Sequence, residues 1–472
     1  MSSSKSKLKT DIFRDPSVTG RALRLVPGCH ALAPYDAEAP VCTVVEDASV
    51  RFAGGLPLRD DRAATGGAFL MAFWQHISEA FLQHTSLHTY VLLFDKKRWV
   101  PLQKGATQTS RRTTLKASSE RQGLQEWKWD GVSPVLTEDA LLPPWSAVRL
   151  DGKAYGRCLD DLVALMSQRF TPPPGRRIII DWPGEKCPGI PLVLECASDG
   201  TCLPPYHDVS LTNTAGEADM SAQWYATLAR SGGMRTPDRS AMAEFECEGG
   251  ARSDYPPGDV TLRSPDTDYL PLAMLHYALA ERVPNNVWLA MGVCNRKDGE
   301  FCKRGEEGAE PHTEMYSVRE LCRSVSALGK AGQRPLLQAV APFAAWCVAC
   351  GNDYVKRRHG ITHRVMWAAY QKSPLAVRWS PVPGVQGPGV ALIDGASYAA
   401  FVRQCYVEKL KGKCPAEAAS SWSVAKEAVA KRFKLADAHM PSGEEAQDMF
   451  ATVSWAFSYA CLGPYGWSAV PK

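Results

Sequence analysis

The sequence predicts an α/β fold in which a doubly wound, mostly parallel sheet is flanked by helices. Two observations support this fold class. Short runs of β-branched and apolar residues alternate with segments of helical periodicity, and a strand, a helix and a second strand at this spacing form the basic unit of a helix-covered parallel sheet. In addition, several of the strand-like runs end in an acidic residue.

The first predicted strand–helix–strand unit spans residues 41–95. VCTVVEDAS at 41–49 and TYVLLFD at 89–95 have the composition of buried strands, and a helical pattern at 66–84 separates them. The remaining predicted elements, in chain order, are strands at 176–181 and 189–196, a helix at 216–232, an inserted loop at 231–258, a strand with an acidic turn and a helix at 258–283, and a helical region at 334–371.

This pattern divides the chain into three parts. We predict a flexible or loosely docked N-terminal arm at 1–40, an α/β domain at 41–375 and a C-terminal extension at 376–472. The extension begins in a Pro- and Gly-rich stretch and then becomes helical and mixed. Its role could be that of a lid, a partner-docking surface or an additional duplex contact.

Composition and charge restrict the class of protein. The 472 residues are 45% hydrophobic and 22% charged, as in ordinary soluble globular proteins. The net charge of only +4 restricts any nucleic-acid face to a local patch. The N-terminus does not resemble a secretory signal, and no apolar run predicts a membrane span. We therefore expect an intracellular, non-secreted protein whose 15 cysteines are reduced thiols.

The cysteine spacings point to no metal or redox site. Cys347 and Cys350 have Cys-x-x-Cys spacing, but they lie in an apolar, helix-like stretch, which favours core packing. Cys187, Cys196 and Cys202 lack the paired spacing of zinc ligands.

Acidic residues at strand ends and helix starts are the main functional signal. In a doubly wound sheet, residues just past the carboxyl ends of the strands line one crevice. Carboxylates gathered there repel one another unless a cation compensates them. Magnesium prefers oxygen ligands, and two such ions about 4 Å apart can clamp the attacking and leaving oxygens of a phosphodiester. The candidate metal ligands are Asp47, Asp95, Glu217, Asp219, Asp266, Asp268 and Asp353.

Five segments resemble, in order, the motifs of the flap endonuclease/XPG nucleases, which belong to the broader PIN-like group. These segments are VVEDAS at 44–49, LLFDKKRWVPLQK at 92–104, GEAD at 216–219, SPDTDYL at 264–270 and CGNDYVKRRHGIT at 350–362. The resemblance spans about residues 41–370. It implies a PIN-like sheet, a helical arch or gateway at 96–145 and a helix-turn-helix-like segment within the helical region 334–375.

The resemblance also implies roles for individual residues. The seven acids would hold two Mg²⁺ or Mn²⁺ ions. On the gateway, Lys104 and Arg111 or Arg112 would contact the scissile phosphate and stabilise its developing charge. The duplex backbone would be gripped by the segment comprising Lys356, Arg357, Arg358, Gly360, Ile361 and Thr362, with binding that weakens as salt rises.

The sequence departs from the family pattern in ways that leave the preferred nucleic-acid structure open. The family's Met-Gly-Ile N-terminus is absent, and Asp219 replaces the second Glu of a Glu-Ala-Glu pair. Thr362 replaces the last glycine of a Gly-Ile-Gly turn, and the loop at 231–258 lengthens the gap between two acid pairs.

Each acid also has a structural interpretation. Asp47 could be a turn residue, and Asp95 could form a surface ion pair with a neighbouring lysine. Glu217 could complete a capping box, while Asp266 and Asp268 could stabilise a helix N-terminus. Asp353 could likewise cap a helix, with the basic run after it as a solvated face. Asp181 ends a strand without matching any motif, and we interpret it as structural.

The resemblance therefore predicts a metal-dependent nuclease that hydrolyses DNA flaps, ends or junctions. One alternative is an RNA endonuclease or exoribonuclease of the same group, similar to the host-shutoff nucleases of large DNA viruses. Another is a nucleic-acid-binding scaffold that has lost turnover. A nuclear or viral-replication compartment would suit such a substrate.

Overall fold

The computed structural model describes most of the chain in segments. These are residues 12–27, 31–34, 37–54, 65–95, 113, 116–117, 127–184, 190–213, 217–231, 257–297, 300–302, 306–328, 335–351, 355, 361–380, 390–410, 422–433 and 443–462. The chain divides into two compact units. The sheet unit comprises residues 25–265 and 283–315, and the helical unit comprises 1–24, 266–282 and 316–472.

A ten-stranded mixed sheet dominates the sheet unit. Its strands are β1 Leu23–Pro27, β2 Val41–Asp47, β3 Thr89–Leu93, β4 Arg176–Asp181, β5 Leu192–Cys196, β6 Tyr206–His207, β7 Asp259–Arg263, β8 Val287–Lys297, β9 Glu300–Cys302 and β10 Glu310–Ser317. They lie in the order β1-β10-β8-β7-β2-β3-β4-β5-β6, and β9 pairs with β8.

The five central strands, in the order β4-β3-β2-β7-β8, are all parallel. β5 and β6 extend one side as antiparallel strands, and β5 lies within the predicted strand at 189–196. The chain runs from β2 outward through β3 to β4, and β7 then pairs with the other side of β2. This reversal creates a switch point at the carboxyl ends of β2 and β7, where ligands bind in open α/β sheets.

Helices cover both faces of the sheet. The helices of this unit are α2 Ala48–Gly54, α3 Gly66–Gln83, α4 Trp145–Leu150, α5 Gly152–Arg169 and α6 Ala218–Ser231. α3 and α5 pack on the face that carries Val44, Tyr90 and Ile180. α6 packs against β2, β3 and β7, and Tyr225 on α6 reaches Asp181, whose side chain alternates with that of Ile180. The predicted α/β class with a mostly parallel sheet is therefore confirmed.

Local sequence explains the helix starts. Thr65 caps α3 by accepting a hydrogen bond from the backbone N–H of Ala68 at 3.2 Å. Asp151 caps α5 by accepting from the N–H groups of Lys153 and Ala154. Side-chain oxygens at such positions satisfy backbone donors that the helix itself leaves without partners.

The helical unit contains eight described helices and one hairpin. The elements are α1 Pro16–Thr19, α7 Tyr269–Leu279, α8 Val318–Leu328, α9 Leu336–Ala349, α10 His363–Lys372, α11 Gly395–Leu410, α12 Trp422–Phe433 and α13 Gly443–Leu462, with β11 Val377–Ser380 pairing antiparallel to β12 Val390–Ile393. α7 contacts α8, α9 and α13. Trp346 of α9 packs on Trp367 of α10 with ring centroids 5.0 Å apart.

Two observations concern the predicted domain organisation. Residues 12–27 of the predicted arm at 1–40 include α1 and β1; Phe13, which precedes α1, and Val26 of β1 are buried. The boundary at 375/376 is absent from the two-unit division, because α10 packs against α11 and both belong to the helical unit. The pattern alone did not show that the segment after 376 shares a core with the helices before it.

Other expectations concern thiols and membranes. The described cysteines are free thiols; Cys347 is buried in α9 and Cys350 is buried directly after it, in agreement with the predicted core packing. Among the described residues, no helix has the length and apolarity needed to cross a membrane. The described parts of the predicted arch at 96–145 are residues 113, 116–117 and 127–145. α9 and α10 fall within the predicted helix-turn-helix region, but most of the connection between them lies outside the described residues.

Candidate active site

Asp47 lies at the switch point of the sheet. It is the last residue of β2 and pairs in register with Leu93 of β3. Ser264, the residue after β7, donates a hydrogen bond from Oγ to Asp47 Oδ2 at 3.4 Å. The end of β2 and the end of β7 thus meet through this side chain, at the position that the topology favours for a ligand.

Asp95 joins three elements at the same edge. Its backbone N–H donates to Ser49 Oγ at 2.7 Å, at the start of α2. Its Oδ1 accepts from the backbone N–H of Ala218 at 3.1 Å, at the start of α6. The positive end of the α6 dipole stabilises a carboxylate in this position. Lys96 and Lys97, the partners in the alternative surface ion pair of Asp95, lie outside the described residues.

Glu217 and Asp219 flank Ala218 at the same helix start. Glu217 immediately precedes α6 and is only 9% exposed. Asp219 lies in the first turn, where its Oδ1 accepts from the N–H of Met220 at 2.8 Å. The bond from Ala218 to Asp95 therefore brings two of the predicted motifs, at 92–104 and 216–219, to one place.

Tyr155 and Arg149 border this acidic edge, and neither was singled out by sequence patterns. Tyr155 lies in the first part of α5, where burial, Asp95 and Asp47 raise the pKa of its phenol while the charge of Arg149 lowers it. Arg149 lies in the last turn of α4 and is exposed. In the sequence, both residues belong to an ordinary amphipathic stretch, and only the fold brings them near the acids.

A second charged cluster lies on the opposite face of β2 and was also missed. Glu46 is 4% exposed, and Arg51 Nε donates to its Oε1 at 2.7 Å. Tyr90 donates its hydroxyl to the other carboxylate oxygen. His76 Nε2 lies 3.5 Å from Glu46 Oε2, and Arg263 of β7 contacts both His76 and Tyr90.

The charges of this cluster determine its pKa values. Burial alone would raise the pKa of Glu46, but Arg51, His76 and Arg263 outweigh burial and hold it well below its usual value. Burial lowers the pKa of His76 to about 4, despite the opposing effect of Glu46. The cluster therefore contains an ionised glutamate and a neutral histidine at pH 7. We define these five residues, Glu46, Arg51, His76, Tyr90 and Arg263, as the buried charge cluster.

Asp181 is a third strand-end acid, and its surroundings agree with the structural role predicted for it. Asp181 is fully buried, and its Oδ2 accepts from Asn213 Nδ2 at 2.9 Å and from the Tyr225 hydroxyl at 3.3 Å. These contacts connect β4 to α6.

Two further predicted ligands follow β7 in the chain. Asp266 and Asp268 follow β7 by three and five residues and belong to the helical unit, where the Asp268 N–H donates to Asp266 Oδ1 at 3.0 Å. Asp268 precedes α7 without a capping bond from its side chain. The predicted residues that lie outside the described ranges are Lys104, Arg111, Arg112, Asp353, Lys356, Arg357, Arg358 and Gly360.

The two described residues of the predicted duplex-binding segment have structural positions. Ile361 is only 1% exposed, so its side chain packs inside the helical unit, and its role in binding duplex stays a prediction. Thr362 caps α10 by accepting from the Val365 N–H at 3.4 Å. A role for Thr362 in binding duplex stays a prediction.

The donors at the switch point suit a hard divalent cation, because Asp47, Asp95 and Glu217 supply only carboxylate oxygens. Within the described ranges, however, no three His, Cys, Asp or Glu side chains are already gathered as a ligand set. The described acids therefore provide the chemistry of a metal site without its complete coordination shell.

Comparisons with known protein families and with curated proteins find no match for this chain.

Proposed function

We propose that this protein is a Mg²⁺- or Mn²⁺-dependent phosphodiesterase that cleaves nucleic acid, with DNA flaps or ends as the favoured substrates. The observation that carries this proposal is the meeting of Asp47, Asp95 and the start of α6 at the switch point. Three motifs far apart in the sequence contribute to this one edge. The motif order adds support, since it resembles that of the flap endonuclease/XPG nucleases.

In this proposal, Asp47 and Asp95 hold the metal, and Glu217 adds a buried negative charge beside them. A bound divalent ion would polarise the phosphodiester and lower the pKa of attacking water. Ser264 orients Asp47, and the α6 N-terminus orients Asp95. Asp219, Asp266, Asp268 and Asp353 stay predicted ligands, and Lys104, Arg111 and Arg112 stay predicted phosphate contacts.

Carboxamide variants test this proposal. Asp47→Asn and Asp95→Asn keep side-chain volume but remove the negative charge that a cation needs. Because metal assistance is worth several kcal/mol, each variant should cleave a labelled DNA flap at least about 100-fold more slowly than the wild type. The rates are measured with Mg²⁺ and then with Mn²⁺.

Asp199→Asn provides a matched control. Asp199 is an exposed acid in the turn after β5, where its Oδ1 accepts from the Thr201 N–H, an interaction that asparagine can keep. It lies beyond the edge of the sheet opposite the switch point, because Cys196 pairs with Arg176 at the start of β4. The control should cleave at the wild-type rate. Wild-type rates for both Asp47→Asn and Asp95→Asn would refute the site.

Matched RNA substrates in the same assay separate the two nuclease alternatives. Faster cleavage of RNA than of the equivalent DNA flap would assign the protein to the RNA-cleaving class. Binding of either nucleic acid without cleavage under any divalent ion would instead favour the scaffold interpretation.

A further inference from the structure

The α4–α5 junction places an arginine and a tyrosine beside the acidic edge. α4 ends at Leu150 and α5 begins at Gly152, so a single residue, Asp151, separates the helices. Asp151 caps α5 through two backbone N–H groups, which fixes the direction of the new helix. Arg149 therefore lies just before the bend and Tyr155 lies in the first turns after it.

Aromatic packing fixes the position of Tyr155. Its ring centroid lies 4.9 Å from that of Phe52 and 6.4 Å from that of Trp145. Phe52 in turn contacts Phe94, the neighbour of Asp95, at 6.0 Å. Phe52 also lies on α2, which follows Asp47 directly. Tyr155 thus packs against the same aromatic residue, Phe52, that lies next to the segments carrying the two carboxylates. Both carboxylates act electrostatically on its phenol.

Arg149 is a cation that the described protein does not neutralise. Its side chain is exposed, and no described carboxylate forms an ion pair with it. Its charge is close enough to Tyr155 to act on the phenol. In contrast, Arg51 and Arg263, on the other face of the sheet, are held in the buried charge cluster.

An arginine in this position has a clear chemical use. A nucleic-acid phosphate that approaches two carboxylates meets repulsion, which a nearby guanidinium offsets. The planar guanidinium can also donate two parallel hydrogen bonds to phosphate oxygens, which a lysine cannot reproduce. Since Arg149 is not committed to a described acid, its donors are available to a ligand.

We propose that Arg149 binds a substrate phosphate next to Asp47 and Asp95, and that Tyr155 is a positioning residue that holds the carboxylates and the bound phosphate in register. This inference rests on the proposed nuclease function, and it names a phosphate contact outside all five motifs. It assigns the α4–α5 junction as one wall of the substrate cleft.

The test separates binding from cleavage. Anisotropy of a labelled DNA flap is measured in Ca²⁺, with binding followed from low to high salt, and cleavage is measured in Mg²⁺. Arg149→Gln should weaken binding about tenfold and reduce the slope of log affinity against log salt by about one. Arg149→Lys should recover the salt slope while binding remains weaker than in the wild type, because the charge returns without the bidentate geometry.

Tyr155→Phe tests the positioning role separately. This variant keeps the ring packing and removes only the hydroxyl, so kcat should fall several-fold while KM and binding in Ca²⁺ stay near wild type. Arg282→Gln serves as the control for charge, since Arg282 is an exposed arginine outside the sheet unit. The control should bind with an affinity and salt slope close to those of the wild type.

The outcomes distinguish this inference from the proposed function. If the wild type cleaves and Arg149→Gln keeps its affinity and salt slope, the inference is wrong and the nuclease function stands. An unchanged kcat in Tyr155→Phe would remove the role of the tyrosine alone. If the wild type neither binds nor cleaves any flap, the proposed function fails and this inference fails with it.

Discussion

Glu46 and Asp47 are adjacent acids at the end of one strand, yet their surroundings differ in charge. Glu46 points to the face covered by α3, where Arg51, His76 and Tyr90 surround it. Asp47 lies at the edge, where Ser264 donates to it and Tyr155 and Asp95 are nearby. Successive side chains on a strand alternate between faces, so one residue of register separates the two environments.

This difference shows how neighbouring carboxylates acquire different roles. The charge of Glu46 is balanced within the protein, because the neighbouring arginines keep its carboxylate ionised in the core. At the edge, the described contacts of Asp95 are a hydroxyl and a backbone N–H, neither of which carries a full charge. A buried acid with arginine partners stabilises the fold, whereas acids oriented by neutral donors retain charge for a ligand.

The largest expected effect is loss of stability in Glu46→Gln. The change leaves the half-buried Arg51 and Arg263 without their buried counter-charge, a loss that costs up to about 3–5 kcal/mol. Urea unfolding followed by circular dichroism should show a midpoint well below that of the wild type. Asp47→Asn, the matched change one residue away, should shift the free energy of unfolding by less than about 1 kcal/mol. If both variants had the same free energy of unfolding, Glu46 and Asp47 would not differ in their contribution to the fold, and the contrast would be wrong.

The next effect is a pH dependence of stability from His76. The unfolded chain protonates this histidine near pH 6.5, whereas its pKa in the folded protein is about 4. The unfolded state therefore binds more protons between these values, and the free energy of unfolding must fall as pH decreases from about 6.5 to 4. The contribution amounts to about 2 kcal/mol between pH 7 and pH 5.

His276 offers a comparison for this measurement. It lies in the helical unit, where burial lowers its pKa to about 4 and its Nε2 lies 2.8 Å from the carbonyl oxygen of Ala460. The free energy of unfolding is measured in urea at pH 7 and at pH 5. Its decrease between these pH values should be smaller in His76→Gln than in the wild type, and the part of the decrease that comes from His276 should remain. A drop of unchanged size would mean that His76 is charged in the folded protein.

The smallest effect concerns the hydroxyl that touches Asp47. Ser264→Ala removes one hydrogen bond of 3.4 Å without changing any charge. A single such bond contributes about 1 kcal/mol, so cleavage should slow about fivefold. The free energy of unfolding should stay close to that of the wild type. A loss as large as that in Asp47→Asn would mean that Ser264 itself contacts the substrate.

Sequence patterns predicted the central elements because these depend on local composition. β2, β3, β4 and α3 all coincide with β-branched runs or with helical periodicity. The convergence of Asp47 and Asp95 followed from the general rule that parallel strands share a carboxyl edge. β1 was missed because LRLVP is short and lies in a polar context.

The buried charge cluster could not be predicted from the sequence. Glu46 and Asp47 look equivalent in VVED, and the partners of Glu46 come from residues 51, 76, 90 and 263, which only the tertiary fold brings together. Arg149 was missed for the same reason, because nothing local distinguishes it from a solvated arginine. The burial of Ile361 was not predicted either, because the motif indicates which residues form a turn but not which of them face the core.

The most direct test of the central claim is Mn²⁺ binding, followed by electron paramagnetic resonance on the purified full chain without substrate. If Asp47 and Asp95 hold divalent ions at the switch point, the wild type and Asp199→Asn should bind Mn²⁺ alike. The Asp47→Asn/Asp95→Asn double variant should bind it at least about tenfold more weakly, while its circular dichroism spectrum stays native. Equal Mn²⁺ affinity in the folded double variant and the wild type would contradict the account.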